Sequence, residues 1–524
     1  MGIYLNPNNE TFTRILKREI YVDKTMMIKV INRFMETDNT YICVSRPRRF
    51  GKTFAGNMLS AYFSRGCDSR KLFEPYKISR DPSFESNLNK LNVIKIDVNS
   101  EFKNERDTDN LLNNLQDRIV AEFIEQFPDL EFNPKESVGN CILKAYSKKN
   151  EHFVVIMDEY DVLVRENVSP NIIENYLDFL SGLFKSSTLS PAIELAYLTG
   201  VLPIVRDRHQ TRLNNFSEFS MLNAGKFAEF IGFTDSEVKS FCRNQKANYA
   251  QIKDRFGGYF LNQTELYSPE SVVASSFSTE SKNFFNESFS SNISKLLNQY
   301  FAGMKDDVIK MVAGESVDVN VTTFMNTMTE FRTKDDVFTY LIHLGYLAYD
   351  NESETCRIPN KEVLEEWKSA VAVVDEYKTT DRIIKASKEL LKETLKMNED
   401  AVAKALDESH IHVTSNRSYN NEDALQSAIY LSYIYALNKY TILREVTTGK
   451  GFADVVFIPF VPDLPAMIVE LKRNGSTESA LEQIKERRYF SSLEHYSGNL
   501  LFVGVNYDEE KKTHECRIER FVKE

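Results

Sequence analysis

The chain has 524 residues, 42% of them hydrophobic and 12% aromatic, which is material for roughly two to four domains at about 150 residues each and excludes a disordered or fibrous protein. Sixty-five Lys and Arg face 76 Asp and Glu, a net charge of −11. That sum decides little about nucleic acid, because phosphate binding depends on local clusters of cations. Six scattered cysteines with no CxxC pair exclude a Cys-rich zinc site and a secreted disulfide framework, and they fit reduced thiols. No apolar run approaches the ~18 residues of a membrane span. The N-terminus MGIYLNPNNETF lacks a basic start, an apolar signal core and the Ser or Thr of a myristoylation pattern. The expectation is a cytoplasmic protein without a membrane partner.

In chain order, 41–44, 92–97, 153–157 and 193–198 read as buried strands, with helical periodicity at 53–65 and 107–127. Buried strands alternating with helices predict a parallel α/β sheet covered on both faces. Beyond about 205, apart from a loop-rich passage around Gly257-Gly258-Tyr259 and Tyr267-Ser268-Pro269, the chain to about 410 turns mostly helical and charged. The run 371–409 has neither Gly nor Pro and predicts helical hairpins with a solvated face. A polar stretch at 414–421 then leads into a second α/β unit. Its expected elements are a helix at 424–437, strands at 441–446, 452–460 and 466–472, a helix at 478–493 and a strand at 500–505. The expected division is 1–280, a helical connecting region over 281–410, and 411–524.

The first strand runs into Arg46-Pro47-Arg48-Arg49-Phe50-Gly51-Lys52-Thr53 and then a helix, the context of a phosphate-binding P-loop. Gly51 lets the backbone approach phosphates, and amides at the helix start point at the anion. Lys52 reaches the β- and γ-phosphates, and the Thr53 hydroxyl holds Mg²⁺. The usual first glycine is replaced by Arg46, and a surface turn containing Gly-Lys-Thr is the plainer alternative. A strand ending in Asp158-Glu159 adds the Walker B arrangement. Its first acid acts on Mg²⁺ and its second polarises the attacking water.

The series Tyr21-Val22-Asp23-Lys24, the Arg46 to Thr53 loop, Asp158-Glu159-Tyr160-Asp161, Leu198-Thr199-Gly200 and Leu213-Asn214-Asn215 resembles the AAA-ATPase-like family of bacterial and archaeal proteins, in which an arginine-rich loop before Gly-Lys is usual. Phe256-Gly257-Gly258-Tyr259, Leu344-Gly345-Tyr346 and Ile358-Pro359-Asn360 resemble that family's later blocks. The resemblance implies an N-terminal P-loop, AAA-like parallel-sheet domain. It also implies ATP with Mg²⁺ bound through Arg49, Gly51, Lys52, Thr53 and Asp158, with Glu159 catalytic and Thr199 sensing the γ-phosphate. Arg206, with Arg208 and Arg212, is a candidate arginine finger, and a homo-oligomer is an option because such a finger comes from a neighbour.

In the C-terminal unit Asp454 lies on one strand and Glu470-Leu471-Lys472 on the next. Alternation puts Glu470 and Lys472 on one face. Two carboxylates and an ammonium form either a charge-paired cluster or a metal site. Mg²⁺ takes hard oxygen ligands and keeps several waters, so Asp454 and Glu470 suffice to hold it against a substrate phosphate. With Glu422 upstream and Gln483 and Tyr489 downstream, the set resembles the PD-(D/E)XK nuclease superfamily over about 415–510. The resemblance implies a restriction-endonuclease-like α/β fold with Asp454, Glu470 and Lys472 catalytic, Mg²⁺ (Mn²⁺ substituting) as cofactor, and DNA as substrate with RNA open. Glu422 is equally readable as a helix N-terminal acid. Glu445 reads as a solvated strand residue, and Lys485, Arg487 and Arg488 as a solvated helix face or a phosphate contact. The expectation is an ATPase with a metal-dependent nuclease domain, cleavage gated by nucleotide state. The alternative is an ATP-controlled switch whose nuclease-like domain binds nucleic acid or protein without cutting.

Overall fold

The structure is a computed structural model that describes residues 2–37, 39–166, 168–204, 213–277, 288–299, 301–324, 331–374, 378–413, 429, 432–448, 451–460, 464–486 and 499–521. The chain divides into two compact units, Met1–Asn286 with Asp318–Leu364, and Glu287–Val317 with Glu365–Glu524.

The first unit is built on five parallel strands: β1 (Tyr41–Ser45), β2 (Asn92–Asp97), β3 (Phe153–Asp158), β4 (Ile193–Gly200) and β5 (Ser217–Phe219). They lie in the order β2-β3-β4-β1-β5. Strands β1 and β3 are buried at every position, as strands covered on both faces must be. Helices Leu111–Gln126 and Val138–Lys149 put Leu115, Ile119, Phe123, Cys141 and Ile142 into the same core as Ile94, Val155 and Met157. Helix α1 (Lys52–Phe63) starts at the end of the phosphate loop, and the short helix α2 (Val162–Arg165) follows β3.

Beyond residue 205 this unit adds short strands to its helices, two of them in the loop-rich passage around Gly257 to Pro269. It carries an antiparallel sheet of Phe233–Thr234, Thr264–Tyr267 and Tyr259–Leu261, and a hairpin of Ala348–Asp350 with Thr355–Arg357. Strands of two to four residues are too short to write a period-two pattern into the sequence. Helix α3 (Lys334–Leu344) also belongs to this unit and opens with a capping box from Thr333 and Asp336.

The second unit is a mixed sheet of β6 (Tyr440–Thr448), β7 (Gly451–Pro459), β8 (Ala466–Arg473), β9 (Leu500–Asp508) and β10 (Thr513–Phe521), in that order, with only β8 and β9 parallel. Helices α4 (Lys378–Leu395) and α5 (Glu399–Val413) bury Leu390, Leu391, Val402 and Leu406 against Val455, Phe457, Val469 and Val503. These helical hairpins of the connecting region thus pack as one layer of the second unit. Helix α6 (Thr477–Glu486) covers the other face with Leu481 and Ile484. Strand β10 is an edge strand that the sequence reading missed. Its His514 and Ile518 are buried while Glu515 and Glu519 face out, an alternation masked by its charges.

Candidate functional site

The end of β1 turns sharply into α1. Arg49 at φ 73° and Gly51 at φ 95° take left-handed conformations, and the amides of Phe54 and Ala55 bond back to the Gly51 carbonyl. Lys52 is buried at the helix start, its Nζ 3.1 Å from the Pro47 carbonyl and 3.5 Å from Glu159 Oε1. The loop therefore curls around its own lysine.

Arg46 explains how this loop dispenses with the first glycine. Its side chain is fully buried, and its guanidinium donates to the carbonyls of Ser45, Phe219, Ser220 and Phe227 at 2.8–3.3 Å. It ties the end of β1 to β5 and to the turn beyond it. Burial pushes its pKa down to about 10, which leaves it charged at neutral pH. On the loop's outer side, a Cβ on Gly345 (φ 82°) would stand 2.7 Å from Pro47, so the Leu344-Gly345-Tyr346 block is where α3 ends against the phosphate loop.

At the C-terminal edge of the sheet, Asp97, Asp158 and Thr199 stand in one row across β2, β3 and β4. Asp158 is 2% exposed; burial raises its pKa to about 6, against a hydrogen bond with Thr53 that lowers it. Glu159, at φ 50°, is treated differently. Burial acts to raise its pKa too, but Lys52 and Arg165 outweigh it and hold the carboxylate below its ordinary range. Arg165 spans two acids, 3.0 Å from Glu159 Oε2 and 3.0 Å from Asp161 Oδ2. Asp161 is fully buried and accepts the Val201 and Leu202 amides just past β4. Its approach requires Gly200, where a Cβ would meet Asp161 Oδ1 at 2.3 Å.

A cavity of about 860 Å³ opens above this loop. Arg49, Gly51, Lys52, Thr53 and Glu159 line one end, and Ile20, Val22, Phe230, Phe233 and Val273 line an apolar wall. Its size and two-sided lining fit a nucleoside phosphate. Lys24 of the N-terminal motif also lines this cavity, and its Nζ donates to Glu237 Oε2 and to the Glu229 carbonyl at 2.6 Å. Arg206, Arg208 and Arg212 lie outside the described residues.

In the second unit Asp454 stands one step beyond the Val455–Val469 pair of the β7–β8 hairpin, and its Oδ2 accepts the Leu471 amide at 2.7 Å. Glu470 is 2% exposed. Its Oε1 takes contacts from Lys472 Nζ at 3.4 Å and from Gln483 Nε2, while its Oε2 is buried with no hydrogen-bond partner. Lys472 Nζ donates to Gln483 Oε1 at 2.5 Å, so α6 supplies the residue that fixes the lysine. Burial, then the nearby Asp454 charge, pushes Glu470 up to about 7. A buried carboxylate oxygen with no donor is costly unless something positive arrives. That is what a hard divalent cation needs. Among the described residues no cluster of three or more His, Cys, Asp or Glu side chains is assembled, and Asp454 and Glu470 are the two carboxylates set beside Lys472. Glu422, Tyr489, Arg487 and Arg488, and the Glu445 side chain, lie outside the described residues, and Lys485 pairs with Glu519.

Residues 9–208 match the AAA-ATPase-like family, described as a predicted AAA-ATPase, and residues 420–516 match the PD-(D/E)XK nuclease superfamily. The chain carries an AAA-ATPase-like domain followed by a PD-(D/E)XK nuclease-superfamily domain. The first implies nucleotide use, and members of the second usually employ divalent metals. The chain is 24% identical over 270 residues to an uncharacterized protein in the vnfD 5′ region of Azotobacter chroococcum mcd 1, spanning 50% of this chain and 49% of that one; it thus spans about half the length of the curated relative it matches. Among solved structures it aligns with Cdc6p from Pyrobaculum aerophilum (12% identity, 71% of this chain and 99% of that one, TM-score 0.26). It also aligns with the Aeropyrum pernix ORC2 protein in ADPNP-ADP complexes (11%, 70% and 98%, 0.32). These scores are too low to carry an argument. No helix among the described residues is long and apolar enough to cross a membrane.

Proposed function

We propose that this chain binds and hydrolyses ATP in its first unit and hydrolyses phosphodiester bonds of DNA, with a divalent cation, in its second. At the first site Lys52 places a point charge on the β- and γ-phosphates, with Arg49 and the Gly51 turn around them. Thr53 and Asp158 are the pair to hold the accompanying Mg²⁺, Glu159 orients the attacking water, and Thr199 stands where the γ-phosphate ends. At the second site Asp454 and Glu470 are the residues to hold Mg²⁺, or Mn²⁺ in its place. When bound, the cation supplies Lewis-acid stabilisation of charge at phosphorus. Lys472, fixed by Gln483, orients the attacking water, and the buried Glu470 keeps the site dry enough for these charges to act strongly.

The observation that carries the nuclease reading is the donorless Oε2 of Glu470, sited beside Asp454 and an ammonium. A merely structural charge cluster has no reason to leave that oxygen bare. Two phosphate-processing sites in one chain further suggest that nucleotide state gates cleavage. The test is to incubate the purified protein with plasmid and oligonucleotides, with and without Mg²⁺ and ATP, and to follow cleavage and phosphate release together. Cleavage that needs Mg²⁺, and phosphate release that needs Lys52, support the proposal. DNA bound without cutting would instead make the second unit a binding module.

A further inference from the structure

We infer that Arg165 is a positioning residue for ATP hydrolysis, holding the Glu159 carboxylate toward the attacking water through an ion pair braced by Asp161. This rests on the reading of the first unit as an ATPase. A chain of contacts runs from the end of β4 to the reacting position. The Val201 and Leu202 amides fix Asp161, Asp161 fixes one arm of the Arg165 guanidinium, and the other arm fixes Glu159. Asp161 is fully buried and the Arg165 side chain 7% exposed, while Glu159 at the end of the chain of contacts is 18% exposed. A planar guanidinium can pair with two carboxylates at once, in fixed directions, where an ammonium cannot.

Glu159 has a second cation, Lys52 at 3.5 Å, but that lysine is also the one placed to meet phosphates. Once phosphate oxygens compete for Lys52, Arg165 is the partner that still orients the carboxylate. Glu159 lines the cavity, whereas Arg165 is not among the residues that do. Its remaining charged neighbour is Glu166, 3.8 Å from Nε, which is in turn 3.6 Å from Arg48. Arg165 is therefore placed to act through Glu159 and not on the phosphate itself.

The experiment is a double-mutant cycle on the full chain. Single-turnover and steady-state ATP hydrolysis, with ADP affinity by calorimetry, are measured for wild type, Arg165→Gln, Glu159→Gln and the double variant. Arg165→Gln is expected to lower kcat about 10- to 100-fold, the scale of a misplaced catalytic group, with KM and ADP affinity within about twofold. In the Glu159→Gln background it should lower the residual rate no further. Arg165→Lys, which keeps a cation beside Asp161, should recover part of kcat, and it carries the same cycle if Arg165→Gln does not fold. An unchanged kcat in Arg165→Gln overturns the inference. So does a loss that multiplies the Glu159→Gln defect, which would mean action on phosphate or on the fold. If wild type hydrolyses no ATP the ATPase reading falls with it; if wild type hydrolyses and only the cycle fails, the placement of Arg165 alone is wrong.

Discussion

Each site sets a carboxylate beside a central strand, Glu159 half-buried just after β3 and Glu470 buried on β8, yet they balance it in opposite ways. At β3, Glu159 is met by Lys52 and Arg165, with Arg48 nearby, and its carboxylate is held below the ordinary range. At β8, Glu470 has one ammonium at 3.4 Å and an amide, keeps an oxygen without a donor, and is pushed up to about 7. The first site carries cations in excess around a cavity, the state in which an anion is welcome. The second is short of positive charge, the state in which a cation is welcome. On the proposed function, local charge balance is what would separate a phosphate-receiving pocket from a metal-receiving one.

The sharpest way to break this contrast is to remove the charge each site is built around. Lys52→Ala should abolish measurable ATP binding by calorimetry, whereas Glu159→Gln should keep ATP and lose turnover by about 100-fold or more. Asp454→Ala, Glu470→Ala and Lys472→Ala should each lose plasmid cleavage while ATP hydrolysis continues. Ca²⁺ should support cutting poorly, being less strict in geometry than Mg²⁺. Undiminished nicking by Asp454→Ala would place any nuclease activity elsewhere in the chain.

Arg46 sharpens the comparison from the side of the scaffold. Arg46→Gly would restore the usual first glycine of a phosphate loop. The structure predicts that it destabilises the protein, because four backbone carbonyls lose the buried guanidinium as a donor. The expected cost is about 3–5 kcal/mol, read as a lower denaturation midpoint of the first unit. Gly200→Ala is expected to cost less, about 1–3 kcal/mol, through the clash with Asp161.

That Lys52 meets Glu159, and that Asp454, Glu470 and Lys472 come together, was legible because each depends on neighbours in one or two strands, whose alternation can be counted. The parallel sheet was legible for the same reason. Arg46 was not, since its carbonyl partners at Phe219 and Phe227 lie 173 and 181 residues away. The Asp161–Arg165 pair did leave a signal, an acid and a base four apart just after the Walker B strand, but nothing local says that Glu159 shares the arginine. Helices α4 and α5 were read as helices with one solvated face, but where their apolar face packs was not legible. An amphipathic helix shows that it has an apolar face, not which sheet the face will cover.

The smallest effect expected is also the most direct test of the contrast, because it needs no activity. Glutamine mimics a protonated glutamate in shape. Glu470 is held protonated in the fold up to about pH 7, whereas an ordinary glutamate ionises near 4.5. As pH rises through that window the unfolded chain releases its proton first, so the buried carboxyl costs stability progressively and fully so above about 7. Without divalent cation, Glu470→Gln should therefore match wild type near pH 5 and exceed it at pH 8, by about 2–4 °C in Tm. Mg²⁺ should close that gap by raising wild type alone. Glu159 has the opposite sign. Its lowered pKa makes the ionised form the stabilising one, with its contribution present above the ordinary carboxylate range and lost as pH falls. Without nucleotide, Glu159→Gln should therefore melt below wild type throughout pH 5–8, the difference shrinking only below the ordinary carboxylate range, because Lys52 and Arg165 lose a counter-charge. Differential scanning fluorimetry of both variants across pH 5–8 decides it. Two shifts of the same sign at pH 8 would mean that the sites are not opposite in charge demand.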